Sequence, residues 1–186
     1  MTIDTNAAPP LLTVDQLRRI MPNLPRERAE EYLPHLVKAM READITTPQR
    51  MAFFLAQVAH ESWDLNYMEE IASGAAYEGR KDLGNTQRGD GKRYKGRSPI
   101  QLTGRANYRA AGKALGLDLE GNPDRAKDPD VGFRVTAWYW TDKGLNRWAD
   151  AGDFVKVTRL INGGTTGLAH REKCLRRARL ALTGKA

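Results

Sequence analysis

Apolar residues recur at helical spacing along most of the chain, and they predict a mainly α protein. This spacing marks helices over residues 14–20, 26–43, 48–60, 105–115, 131–140, 153–161 and 169–182. Alternation of apolar and polar positions, which is typical of strands, nowhere extends beyond a few residues. Residues 1–12 lack the helical pattern, so we interpret them as a flexible lead before a single domain at 13–186.

A glycine-rich segment between residues 73 and 98 interrupts the helical pattern. Its glycines alternate with charged residues, and few large apolar side chains occur there. An irregular stretch of this length inside a compact domain is usually functional or disordered. Because Tyr77 and Tyr94 supply aromatic anchors, we interpret the segment as a substrate loop, with Tyr94 as a substrate contact and room for a small β-hairpin.

Length and composition narrow the class of protein. With 186 residues, of which 40% are hydrophobic, the chain can bury the core of one domain. No stretch approaches the roughly 20 apolar residues of a membrane-spanning helix. The single Cys174 excludes an intramolecular disulfide, and three scattered histidines make a zinc site a poor hypothesis, so we expect no metal or cofactor.

The start of the chain bears on where the protein acts. No positive charge precedes its short apolar run, so we expect no secretory signal and synthesis in the cytoplasm. If the protein acts outside the cytoplasm, another protein must release it.

The net charge of +7 is concentrated at one end of the chain. Residues 151–186 carry eight Lys or Arg against two Asp or Glu, which accounts for +6 of it. A basic end favours polyanions, which include nucleic acid, anionic lipid and acidic envelope polymers. The alternative is a solvated helix face. The glycine-rich segment is mixed in sign, which argues against nucleic-acid binding. We expect the basic end to contact an anionic envelope, and we expect the protein to be a monomer.

Carboxylates are the remaining candidates for chemistry. His60 and Glu61 begin like a zinc-protease helix, but Asp64 stands where the second histidine would be required. Glu61 lies at the margin of the apolar stripe of its helix. A carboxyl group there loses hydration, which favours its protonated form and suits a general acid. The alternative is a glutamate paired with an arginine or a backbone N–H.

Glycoside hydrolysis commonly needs a second carboxylate, and Glu69, Glu70 and Glu78 are candidates. In one continuous helix Glu61 and Glu70 would lie on opposite faces. A break at residues 64–66, where helix formers are poor, would let them face one cleft. A separation of roughly 6.5–9.5 Å would then leave room for a water and give inversion at the sugar.

Three segments together resemble glycoside hydrolase family 19. They read FFLAQVAHES at 53–62, RSPIQLTGRANY at 97–108, and INGG at 161–164 followed by Arg171. The resemblance extends over about residues 48–175. Residues 68–79 and 82–85 are similar to bacteriophage endolysins of this family in particular. Departures from the family pattern are Ser98, where glycine is usual, and Trp63, where small residues are common. Trp63 is either a platform on which a sugar stacks or a core residue, and we expect the core.

The resemblance implies a lysozyme-like helical fold and an inverting mechanism without cofactor. It implies Glu61 as the general acid, Glu70 as the base that activates water, and Thr103 as a residue that holds this water. It also implies sugar-binding or bracing residues, which are His60, Gln101, Asn107, Asn162 and Arg171. The helical spacing of Arg171 turns it inward as well, where it needs an acidic partner.

The expected activity is that of an endolysin that hydrolyses β-1,4 bonds of peptidoglycan as a muramidase. The resemblance also implies that such a protein leaves the host cytoplasm through a holin-type pore and acts in the cell wall or periplasm. A chitinase acting on N-acetylglucosamine polymers is the alternative among hydrolases, and a basic nucleic-acid or membrane-binding module is the alternative from another class.

Overall fold

The computed structural model describes residues 10–185, which contain nine α-helices. These are α1 (Val14–Ile20), α2 (Arg26–Glu42), α3 (Pro48–Glu61), α4 (Asp90–Arg93), α5 (Arg105–Leu115), α6 (Pro129–Asp142), α7 (Leu145–Asp150), α8 (Phe154–Asn162) and α9 (Leu168–Thr183). The mainly α prediction is confirmed, and each predicted helix is present. Helices α4 and α7 were not predicted because they are too short to show a period. The described part of the chain has no strand, and the hairpin is reduced to two isolated bridges, Glu69–Arg97 and Arg97–Leu102.

Helix α3 forms the centre of the larger core. Every residue from Met51 to Ala59 is buried, as expected for a helix that is apolar around its circumference. Its aromatic rings meet neighbouring helices edge to face, Phe53 on Phe154 at 5.1 Å and Phe54 on Trp140 at 5.3 Å between centroids. Burial of one such side chain contributes about 1.5–3 kcal/mol. The packing, most extensive against α9, therefore fixes the position of the C-terminal end of α3.

A second, smaller core lies beneath the glycine-rich segment. Tyr94 and Tyr108 pack there with apolar residues of α5 and α6. Around it, buried Asp90 pairs with Arg105 at 2.5 Å. The segment at 73–98 therefore has its own apolar anchor, although most of it consists of turns and short helices.

Both ends of the described chain are more buried than the sequence indicates, at the predicted N-terminal lead and at the basic C-terminal helix. Residues 1–9 of the predicted lead lie outside the described residues, whereas Leu12 is buried in the larger core. On the basic helix α9, Arg171 is buried and Arg177 lies 3.6 Å from Asp64. Lys173 and Arg176 are exposed, so only part of the basic end is a solvated face. Across residues 10–185, helices with the length and apolarity to cross a membrane are absent.

Candidate active site

Helix α3 ends abruptly at Glu61. The backbone then enters the left-handed region at three successive residues, with φ of 52°, 57° and 59° at Trp63, Asp64 and Leu65. Buried Ser62 fixes this turn, because its Oγ donates to the carbonyl of Val58 at 2.6 Å and accepts the N–H of Leu65 at 2.8 Å. The break predicted at 64–66 is thus present, directly after the candidate acid.

A buried chain of hydrogen bonds holds the carboxylate of Glu61. Nη2 of Arg171 lies 2.6 Å from its Oε1, and Nη1 donates to Oε1 of Gln57 at 2.5 Å. Nε2 of Gln57 donates in turn to Thr158 at 2.9 Å. Arg171 is 1% exposed, which confirms its predicted inward orientation. The carboxylate lies at the negative end of the α3 dipole, where a cation offsets an otherwise unfavourable charge.

His60 lies beside this ion pair and contacts His170, with 2.9 Å between the two Nδ1 atoms. Burial, together with the positive charge of Arg171, lowers the pKa of His60 to about 4, so its ring is neutral near pH 7. Gly167 passes directly over the ring, and a Cβ at this position would collide with the imidazole. Within residues 10–185 no group of three or more His, Cys, Asp or Glu is arranged to hold a metal ion.

The second carboxylate, Glu70, lies against the glycine-rich segment. Its N–H donates to the carbonyl of Gly96 at 2.9 Å, and its Oε2 accepts the hydroxyl of Tyr77 at 3.0 Å. Its Oε1 is buried and has no hydrogen-bond partner among the described residues. A Cβ on Gly96 would stand 2.7 Å from Oε1 of Gln101 and 3.2 Å from Oε2 of Glu70. Both side chains therefore converge on the space that this glycine leaves open.

The residues of the second motif join the same cluster. Oγ1 of Thr103 donates to the carbonyl of Gln101 at 2.9 Å, and Asn107 donates to the carbonyl of Thr103 at 2.7 Å. Gln101 has φ of 57° and Ser98 has φ of 67°, so the loop between them turns sharply. The structure thus brings Gln101 beside Glu70 and links Thr103 and Asn107 to Gln101 through hydrogen bonds.

The two rival carboxylates have structural partners instead. Burial opposes the charge of Glu69, but hydrogen bonds from Lys95 and Arg97, at 2.7 and 2.9 Å, hold its pKa at about 2. The side chain of Glu78 accepts the backbone N–H groups of Gly89 and Gly91 at 2.6 and 2.8 Å. Among the three candidates, an unpartnered buried oxygen is found on Glu70.

Two expectations for individual side chains meet a different outcome. Tyr94 was predicted to contact substrate, but this is wrong: it is 1% exposed, and its hydroxyl donates to the carbonyl of Glu120 at 2.9 Å. Trp63 was predicted in the core, which is also wrong, since it is 68% exposed. The sugar-binding role of Asn162 stays a prediction; the residue is exposed at the end of α8, and none of the described hydrogen bonds joins it to either carboxylate.

The sequence reasoning did not single out Gln57, Thr158 or His170. Gln57 carried a usable signal, because it is a polar residue on an apolar stripe four positions before Glu61. Thr158 and His170 carried none, since each acquires its role only when α8 and α9 pack against α3.

The fold is helical, and the two carboxylate clusters supply the residue types of an acid–base glycosidase. These features define the class of protein. Comparison with known proteins gives the family. The sequence model described as class I chitinase, glycoside hydrolase family 19, matches residues 39–155. A family 19 domain-containing protein of Haemophilus influenzae is 32% identical over 185 residues, covering 78% of this chain and 90% of that protein. The chain belongs to glycoside hydrolase family 19.

Named chitinases are among the similar proteins. Endochitinase At2g43610 of Arabidopsis thaliana is 44% identical over 117 residues, which cover 62% of this chain and 40% of the plant protein. This chain therefore matches less than half the length of that relative. Among solved structures, chitinase C from Streptomyces griseus HUT6037 superposes with a TM-score of 0.79 at 25% identity, covering 97% of this chain and 96% of that one.

Proposed function

We propose that this protein is a glycoside hydrolase that cuts β-1,4 bonds in a polymer of N-acetylhexosamines, with inversion. The observation that carries the proposal is that the two candidate carboxylates are held in different ways. Glu61 is braced by the buried Arg171, whereas Glu70 keeps a buried oxygen without a partner. Two carboxyl groups in different environments are what acid and base roles require.

Glu61 is the proposed general acid. Arg171 occupies Oε1, so the other oxygen, Oε2, is the one to carry the proton toward the glycosidic oxygen. About a fifth of the side chain remains exposed, which leaves it accessible to a substrate. A bound sugar would exclude the remaining water from the site.

Glu70 is the proposed base. A buried carboxylate oxygen without a donor needs one, and a water between Glu70 and the sugar would supply it. Thr103 lies in the same cluster and is the proposed second holder of this water, while Gln101 and Asn107 are proposed to bind sugar hydroxyl and acetamido groups. We place Asn162 and His60 in the sugar-binding set as well, from the family resemblance.

For the substrate we propose peptidoglycan, cut as by a muramidase, so that the protein would act as an endolysin. The similarity of residues 68–79 and 82–85 to bacteriophage endolysins supports this choice. Chitin is the second candidate, because the relative from Arabidopsis thaliana and the superposing structure from Streptomyces griseus are chitinases.

The hydrolase proposal is tested with Glu61→Gln, which preserves shape and removes the proton. Because a positioned acid typically contributes about 10²–10⁴-fold, we expect a loss of that size in release of reducing ends. Glu27→Gln is the matched control, since Glu27 is exposed on α2, and it should retain full activity. Circular dichroism should show both variants folded. A folded Glu61→Gln variant with full activity would remove Glu61 from its role.

The substrate choice is tested by digesting purified peptidoglycan and chitin oligomers side by side. Mass spectrometry of the new reducing ends separates the two candidates, because a muramidase leaves reducing N-acetylmuramic acid and a chitinase leaves N-acetylglucosamine. Turnover of chitin alone would exclude the endolysin assignment and leave the hydrolase proposal intact.

A further inference from the structure

Exposed apolar side chains are concentrated in the short stretch of chain that carries the two candidate carboxylates. In residues 10–185, five large hydrophobic side chains are exposed; two of them lie between Glu61 and Glu70 in the sequence, and a third directly follows Glu70. They are Trp63 at 68%, Tyr67 at 43% and Ile71 at 82%. Scattered apolar exposure is ordinary, whereas a local concentration of it marks a surface that binds something.

Trp63 occupies its position against two energetic costs. Its φ of 52° is a conformation that glycine adopts freely and that a bulky side chain adopts only under strain. Its indole also remains in water, and leaving a large aromatic ring exposed is energetically costly. A glycine here would remove both costs, so the tryptophan has to be explained by something outside the folding of this turn.

The turn fixes the backbone from which the indole projects. The carbonyl of Trp63 accepts both the N–H and the Nδ2 of Asn66, at 3.2 and 2.9 Å. The residues on either side, Ser62 and Asp64, are buried, and Oδ2 of Asp64 accepts Nδ2 of Asn23 at 2.9 Å. Because both neighbours are anchored, the backbone of Trp63 cannot rotate its side chain into the core without breaking this network. A ligand that covers the ring therefore meets a backbone that is already ordered.

We propose that Trp63 is a sugar-binding platform on which the apolar face of an N-acetylhexosamine ring stacks beside Glu61. A β-1,4-linked hexopyranose presents axial C–H groups on its ring faces, and these polarised hydrogens match the negative face of an indole. Stacking would also bury the exposed ring and thereby recover its hydrophobic cost. This inference rests on the proposed function and adds the residue that positions the chain next to the acid.

Kinetics of three Trp63 variants test the platform. Trp63→Gly should raise KM about tenfold with little change in kcat, since it removes binding shared by ground and transition states. It should leave the melting temperature unchanged or higher, because glycine tolerates this φ. Trp63→Phe should restore most of the affinity, whereas Trp63→Leu, apolar but not flat, should not. An unchanged KM for Trp63→Gly, or full rescue by leucine, would overturn the proposal.

A binding measurement separates this inference from the proposed activity. Trp63 is the most exposed of the four tryptophans, so iodide quenching of fluorescence reports mainly on it. In Glu61→Gln, soluble peptidoglycan strands, with chitin oligomers in parallel, should protect it from quenching. The protection should persist with Trp148→Phe, and Trp63→Gly, which removes the reporter, identifies the part of the signal that comes from Trp63. Unchanged quenching of Trp63 at strand concentrations that calorimetry shows to saturate the protein would refute the platform even where Glu61 proves essential, whereas protection in a protein that hydrolyses without Glu61 would refute the acid assignment alone.

Discussion

The two candidate carboxylates are held by different kinds of structure. Glu61 ends a helix that is buried around its circumference, and its partner Arg171 comes from another core helix. Glu70 belongs to no helix, and its backbone is tied to Gly96 in a segment built of turns. The first side chain inherits its position from packing in the larger core. The second depends on a few hydrogen bonds and on the absence of a side chain at Gly96.

This difference matches what each role demands. An acid must deliver a proton to one atom, so its carboxyl group benefits from a rigid helix and a fixed counter-charge. A base that works through a water needs an oxygen kept unpaired and a space beside it. The glycine-rich segment provides such a space because Gly96 leaves room between Glu70 and Gln101.

The largest effect should come from replacing each of the neighbours Glu69 and Glu70 by glutamine in turn. We expect Glu70→Gln to lose about 10²–10⁴-fold in kcat while unfolding at nearly the wild-type temperature, because it removes a base but no ion pair. Glu69→Gln should do the opposite. It breaks the contacts to Lys95 and Arg97, so about 1–3 kcal/mol of stability should be lost while kcat stays within a few-fold of wild type.

Steady-state kinetics and thermal melts of the same two preparations check this prediction. Glu78→Gln serves as a control that disturbs the same segment, since it weakens a carboxylate that accepts two backbone N–H groups. Proton NMR of the first product should also show the inverted anomer. If Glu69→Gln were the inactive and stable variant, the base would be Glu69, and the unpartnered oxygen of Glu70 would need another explanation.

The same contrast decides how much the sequence could predict. The helices, the inward Arg171 and the break after Glu61 follow from periodicity and local propensity, so the helix side of the site was accessible. The choice among Glu69, Glu70 and Glu78 was not, because it depends on partners that the glycine-rich segment brings together only on folding.

Two aromatic residues show why side-chain location is harder to predict than secondary structure. Tyr94 lies in a polar stretch and looks available to a ligand, yet a second core assembles around it from α5 and α6. Trp63 follows a buried helix and looks like its continuation. Three left-handed residues redirect the chain, and a period of 3.6 no longer describes where the ring points.

A smaller effect is expected from the chain that braces Glu61. Gln57→Leu keeps the volume of the side chain but leaves a guanidinium N–H and the hydroxyl of Thr158 without partners, which should cost about 1–3 kcal/mol. Activity should fall through kcat rather than KM, and the pH profile of kcat should shift, because the counter-charge of Glu61 is less well fixed. Thr158→Val is the milder control, since Arg171 keeps its acceptor. A variant that is destabilised but has the wild-type pH profile would reduce Gln57 to a structural role.

The smallest effect should separate the two regions by pH alone. The pKa of His60 is lowered from 6.5 to about 4, so between these values the unfolded chain binds the proton more readily, and stability falls as the pH drops through this window. The pKa of Glu69 is lowered from 4.5 to about 2, so its stabilisation is complete above 4.5 and is lost as the pH falls toward 2. The free energy of unfolding, measured with urea across pH 2–7, should therefore depend less on pH between 4 and 6.5 in His60→Gln. In Glu69→Gln it should depend less on pH between 2 and 4.5. If the free energy of unfolding of both variants followed pH as in the wild type, the loss of stability in acid would arise from other groups. Neither the burial of His60 nor the ion pairs of Glu69 would then explain it.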